Sequence, residues 1–138
     1  MKLKILSMLS FFVLTMAVAY PWHMLLFEST YQAMGVFTRE APIMGLGMLA
    51  IGLQGWAIAF VFPYFYQNKT GSPIKLGIQF SLIMGLLVYS VMVFATAAKF
   101  MIEPVWQFVM YGTAFQIIQF VMTGAALGWI HRKEINNS

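Results

Sequence analysis

The sequence predicts an all-α membrane protein, a four-transmembrane-helix antiparallel bundle with both termini cytoplasmic. Three observations carry that expectation. Of the 138 residues 61% are hydrophobic and 9% charged, against roughly a quarter charged in an ordinary soluble domain. Four apolar runs are each long enough, at ~1.5 Å per residue, to cross a ~30 Å hydrocarbon layer. Lys and Arg collect on one side of the topology those runs define.

The runs cover residues 5–27, 43–66, 74–100 and 105–130 of a chain that is one domain by size. The first begins after Lys2 and Lys4 and passes Pro21, which marks a kink or the local end of regular helix. Its start also imitates a signal peptide, with Ala17-Val18-Ala19 as a small-residue cleavage site that would leave three spans. Apolar residues resume after Pro21 and continue to Phe27, as in a retained helix. The connection 28–41 mixes Tyr31, Met34, Val36 and Phe37 with Gln32, Arg39 and Glu40. It reads either as a segment lying along the membrane surface or as a plain loop.

Glu40-Ala41-Pro42 opens the second run, Asn68 to Pro73 separates it from the third, and Glu103-Pro104 precedes the fourth. Proline near a first helical position loses no needed hydrogen bond, Ser72 is a candidate N-cap, and Gly71 suits a helix C-terminal turn. Lys2, Lys4, Lys69, Lys75, Arg132 and Lys133 fall on one face and only Arg39 and Lys99 on the other. That asymmetry points both termini to the cytoplasm. Tyr20, Trp22 and Trp106 then sit near the outer boundary, and Tyr64, Tyr66 and Trp129 near the inner one.

Lipid tails are as apolar as leucine, so membrane helices associate through small residues and interhelical hydrogen bonds. Gly124 and Gly128 in the fourth run, and Gly77, Ser81 and Gly85 in the third, make grooves at four-residue spacing. In the second run Gly47, Ala50, Gln54, Ala57 and Val61 alternate three and four apart, the seam of a left-handed helix pair. Whether a groove serves the same bundle or a homo-oligomer stays open.

Thr113, Gln116, Gln119 and Thr123 share about a third of the circumference of the fourth helix and are expected to face inward. Gln54 and Gln116 come to similar depths, ~15 Å from the outer ends, with Ser90 and Thr15 at comparable levels. The expectation is a midplane polar layer in which Gln54 and Gln116 share a hydrogen bond. It reads either as glue between helices or as the seat for the polar head of a lipophilic ligand, with Phe and Met around it.

Little other chemistry is available. There is no cysteine, which removes thiolate catalysis and thiolate metal sites. The basic residues form no stripe, so no nucleic-acid partner is expected. No Asp occurs and Glu28, Glu40, Glu103 and Glu134 all fall at or outside run ends, which disfavours proton-coupled transport and magnesium chemistry. His23 and His131 belong to opposite boundaries and hold no haem or metal jointly, and neither has the depth to serve a buried serine. No cofactor is predicted. His23, beside Trp22 and followed by Glu28 and Tyr31, is the best single ionisable candidate, against the plainer reading of an interfacial anchor. The twelve methionines are dispersed and read as flexible packing.

Trp22-His23, the 31–35 and Thr38-Arg39 loop, Gly52-Leu53-Gln54-Gly55, the Pro63-Tyr64-Phe65-Tyr66 exit and Ala114-Phe115-Gln116-Ile117-Ile118-Gln119-Phe120 follow one another along the chain. In that order they resemble a group of small uncharacterised bacterial four-span membrane proteins. The resemblance implies four retained spans and carries no chemistry. The expected role is binding, of a partner membrane protein or a lipophilic ligand, at a bacterial inner membrane, with Gln54, Ser90, Gln116, Gln119, His23 and Trp22 as candidate site residues. Two further readings are an oligomeric transport component lined by Gln54, Ser90 and Gln116, and an outer-face enzyme using His23 and Glu28.

Overall fold

The computed structural model describes residues 1–137, and among them the chain is helical with no strand. Its helices are α1 (Lys2–Leu26), α2 (Glu28–Ala33), α3 (Met44–Tyr66), α4 (Pro73–Lys99), α5 (Val105–Ile130) and α6 (Arg132–Asn136). Of these α1, α3, α4 and α5 are long and apolar enough to cross a membrane. Their ends lie within a few residues of the apolar runs. Pro73 occupies the first turn of α4, and Ser72 precedes it without a side-chain cap bond. After α3 the backbone takes positive φ twice, at Asn68 (64°) and at Gly71 (140°), the second being the glycine that the turn called for. Lys69 N–H donates to the Tyr66 carbonyl at 2.9 Å, which closes the turn after α3 through the backbone.

Two long helices loosen into π geometry, α1 over Pro21–Leu26 and α4 over Ser90–Ala95. The first has a local cause. Pro21 has no N–H to give, and the ladder resumes one residue wider, so that Phe27 N–H donates to the Trp22 carbonyl five residues back at 3.1 Å.

Helix α5 packs against α1 and α4, α1 packs against α3, and α3 meets α4 over a small area. Glycine sets the α4–α5 approach. A Cβ on Gly124 would stand 2.8 Å from the Gly77 carbonyl oxygen and 2.7 Å from Ser81 Cβ, and one on Gly85 would stand 2.7 Å from the Phe120 ring. No side chain fits there, so the stripes in the third and fourth runs meet each other. Hydrogen bonds follow the same seams. Gln119 Nε2 donates to Thr15 Oγ1 at 3.2 Å, Ser81 and Thr123 hydroxyls meet at 3.3 Å, and Tyr89 and Thr113 hydroxyls at 2.9 Å.

The seam expected on α3 does not form. Its buried residues are Gly55, Ile58, Ala59, Phe62 and Tyr66, a face different from 47, 50, 54, 57 and 61. Bulky aromatics decide this: Phe62 is fully buried and packs its ring against Phe80 and Tyr66 at centroid distances of 5.2 Å and 5.0 Å. They draw the second half of α3 into the core. Residues 41–50, by contrast, are all exposed, so the first half of α3 stands off from the bundle.

The 28–41 connection is neither a surface strip nor a plain loop. Tyr31 and Met34 are each 2% exposed and join Val93, Ile102 and Phe108 in a second apolar cluster. Gly35, at φ 77°, reverses the chain behind them, and Glu103 N–H donates to the Met34 carbonyl at 3.1 Å. The connection thus roofs one end of the bundle.

A cavity under the roof at His23 and Gln116

The stand-off of α3 leaves a cavity of about 370 Å³ between α1, α3, α4, α5 and the connecting loop. Both π segments border it, His23 and Met24 coming from the first and Met92 and Val93 from the second. Such irregular turns recur at functional sites. Its wall is apolar and includes Met16, Met24, Met44, Met48 and Met92, five of the twelve methionines. Residues scattered along the sequence are therefore gathered on one surface, whose thioether side chains adapt to a guest of irregular shape.

The polar residues in that wall are few: Tyr20, His23, Tyr31, Thr96 and Gln116. His23 Nδ1 and Gln116 Oε1 are buried and have no hydrogen-bond partner in the protein, and both residues line the cavity. Burying a polar atom unpaired costs about 1–3 kcal/mol, so native interiors rarely keep one. The His23 ring is held by Phe115 at 4.7 Å and Tyr31 at 4.9 Å. Tyr31 is fixed in turn by Trp22, whose indole Nε1 donates to the Tyr31 hydroxyl at 3.1 Å. Burial pushes the Tyr31 phenol above its ordinary value, with the Trp22 bond opposing, so it stays a neutral wall group. Trp22 itself supports the site from behind, packed on Phe115 at 6.0 Å and Phe27 at 4.7 Å.

The remaining candidates lie elsewhere. Gln54 is half-buried and makes no side-chain hydrogen bond, and Gln116 Oε1 is unpartnered, so the bond expected between them is absent. The cause is the rotation of α3 that buries Phe62. Ser90 is exposed and its hydroxyl donates to the carbonyl of Leu87 in its own helix at 2.8 Å. Gln119 is 4% exposed and bound to Thr15, a link between α1 and α5. There is thus no single midplane layer with one residue from every helix. Glu28 is exposed, accepts from Gln32 Nε2 at 3.4 Å, and lines a neighbouring depression of about 220 Å³ with Arg39 and Glu40. No hydrogen bond joins it to His23.

His131 is the residue that sequence reasoning placed least well. It is 1% exposed, and its ring nitrogens lie 2.9 Å from Ser7 Oγ and 3.2 Å from the Tyr66 hydroxyl. Tyr66 donates to Glu134 Oε2 at 2.6 Å. A carboxylate only accepts, so the Tyr66 oxygen is free to accept from Nδ1–H, and Nε2 is left to accept from Ser7. A histidine does meet a buried serine, contrary to the depth argument, because the meeting lies beyond the end of α5. The order Ser7, His131, Glu134 matches a nucleophile, base and orienting acid. With Ser7 and His131 2% and 1% exposed, no substrate carbonyl reaches Ser7 Oγ, and the group acts as a clasp. No sequence signal pointed to it, because 124 positions separate Ser7 from His131.

Comparison with protein-family models, curated proteins and solved structures finds no match. Function therefore rests on the chain's own geometry.

Proposed function

We propose that the protein binds a lipophilic small molecule in the cavity at His23 and Gln116. The observation that carries this reading is a methionine-rich apolar wall in which two residues, His23 and Gln116, each keep a buried polar atom without a partner. Pockets for small ligands have this composition, apolar with a few convergent polar groups, and begin at about 300 Å³. The resemblance to small bacterial four-span proteins belongs to the same proposal.

The setting is a bacterial inner membrane crossed by an antiparallel bundle with cytoplasmic termini and a retained first helix. Pairing of Ser7 with His131 and Thr15 with Gln119 supports the antiparallel run of α1 and α5, and burial of Ser7, Phe11 and Thr15 supports retention. The cytoplasmic side follows from the excess of Lys and Arg at the clasp end, where Lys4, Lys69 and Arg132 cover Phe60, Phe65 and Trp129. The cavity then opens in the outer half of the bilayer. A second reading, a partner membrane protein or a second copy seated on α3, is favoured by the exposed apolar stretch 41–50.

Native mass spectrometry of the full-length protein released from mild detergent tests the first reading. The expected result is a stoichiometric retained mass that is lost in Gly47→Phe. Gly47 lines the cavity and a Cβ there meets nothing within 4 Å, so a ring can be added at the cavity wall without a backbone clash. A wild-type protein that retains no mass and takes up no added lipophile overturns the reading.

A further inference from the structure

The two unpartnered atoms in the lining residues His23 and Gln116 also bear on the head of the ligand. Gln116 Oε1 is an amide oxygen and only accepts, so its partner must bring a hydrogen. His23 Nδ1 accepts or donates according to tautomer, so its partner is best able to do either. No Lys, Arg, Asp or Glu lines the cavity, so nothing neutralises a charged head, whose burial is far more costly than that of a neutral one. An ammonium brings hydrogens but also charge; a phosphate or carboxylate brings charge without a donor. A ketone, ester or ether is neutral but leaves Gln116 Oε1 unpaired.

An uncharged hydroxyl meets every condition, being one donor and two acceptor sites on a single atom. Building on the ligand-binding reading, we infer that the ligand is a neutral hydroxyl-bearing lipophile, an alcohol or phenol on an apolar body. Its O–H donates to Gln116 Oε1 and its oxygen, or a second hydroxyl, pairs with His23 Nδ1. The apolar body lies among the methionines. Phe115, against the His23 ring at 4.7 Å, fixes the direction in which that ring presents its nitrogen.

The test offers the full-length protein in mild detergent equal concentrations of dodecanol, dodecyl methyl ether and dodecyl phosphate and compares the bound masses by native mass spectrometry. Dodecanol is expected to exceed the ether about tenfold, the effect of one acceptor left unpaired, and to exceed the phosphate. Gln116→Leu is expected to bring the alcohol-to-ether ratio close to one while both still bind; Gln116→Met serves if the leucine variant does not fold. Equal alcohol and ether adducts, or a ratio that survives loss of Gln116, overturn the hydroxyl assignment and leave the cavity reading standing. A phosphate that outcompetes the alcohol overturns the neutral head. If none of the three binds the folded wild-type protein, the ligand-binding reading falls with the inference.

Discussion

His131 Nε2 lies 2.9 Å from Ser7 Oγ, although 124 positions separate the two residues in sequence. With the Tyr66 hydroxyl at 3.2 Å from Nδ1 and donating to Glu134 Oε2 at 2.6 Å, one imidazole ties the start of α1, the end of α3 and the segment after α5. The opposite end of the bundle has no such clasp on α3, whose first residues stand apart from it and leave the cavity. Tight closure at one end and a gap at the other follow from where the polar side chains and bulky rings fall along α3.

Ser7→Ala removes the donor to a nitrogen that is buried with its ring. The expected loss is about 1–3 kcal/mol of stability, measured by thermal or denaturant unfolding in detergent. A variant as stable as wild type shows that the bond contributes nothing net.

Stability also depends on pH through the same residue. Burial pushes the His131 imidazole below its ordinary value of 6.5, with Glu134 partly opposing. The unfolded chain then binds the proton more readily than the folded one, so the contribution is complete above pH 6.5 and declines as pH falls from there toward the lowered folded value. The unfolding temperature is expected to drop on acidification through that window, and His131→Gln to flatten the dependence. An unchanged profile in the variant assigns the dependence to another group.

Glycine substitutions are expected to split by position. Gly124→Leu drives a side chain into the backbone of α4 and should cost about 1–3 kcal/mol or more, seen as a lower unfolding temperature or loss of the folded species. Gly52→Ala, where a Cβ meets nothing within 4 Å, should be neutral or gain up to about 1 kcal/mol from helix propensity. Equal effects at the two sites refute the close α4–α5 approach.

The two glutamines invite a direct comparison. Gln119→Leu breaks the bond to Thr15 and is expected to cost about 0.6 kcal/mol, at most about 1.7; a double-mutant cycle with Thr15→Val isolates the coupling. Gln54→Leu removes no side-chain bond and should leave stability unchanged. A loss at Gln54 equal to that at Gln119 revives the shared polar layer.

Much of the helical framework was legible. Length and hydropathy mark the four long helices, because spanning an apolar layer demands a continuous apolar run. Gly77, Ser81, Gly85, Gly124 and Gly128 announced a close contact, since only small residues permit one. Of the site, His23, Trp22 and Gln116 were named as candidates, and the structure brings His23 and Gln116 to one cavity. What went astray was the rotation of two helices: the α3 seam and the Gln54–Gln116 bond on one, and the inward placement of Ser90 on the other, whereas the inward face of α5 at Gln119 and Thr123 holds. Depth along a helix is a count of residues, but azimuth depends on every contact at once, and the π turns at Pro21 and Ser90 shift it further.

By itself the sequence determined four apolar helices, the small-residue grooves on two of them, and the lack of cysteine and Asp that removes whole classes of chemistry. These are properties of composition and local periodicity, which no packing arrangement alters. Only the tertiary structure decided that the 28–41 connection folds inward, that His131 closes on Ser7, and that five scattered methionines meet two unpartnered polar atoms in one cavity. Those outcomes rest on contacts between residues far apart in sequence, fixed when Phe62 claims the core and the other half of α3 is left outside it.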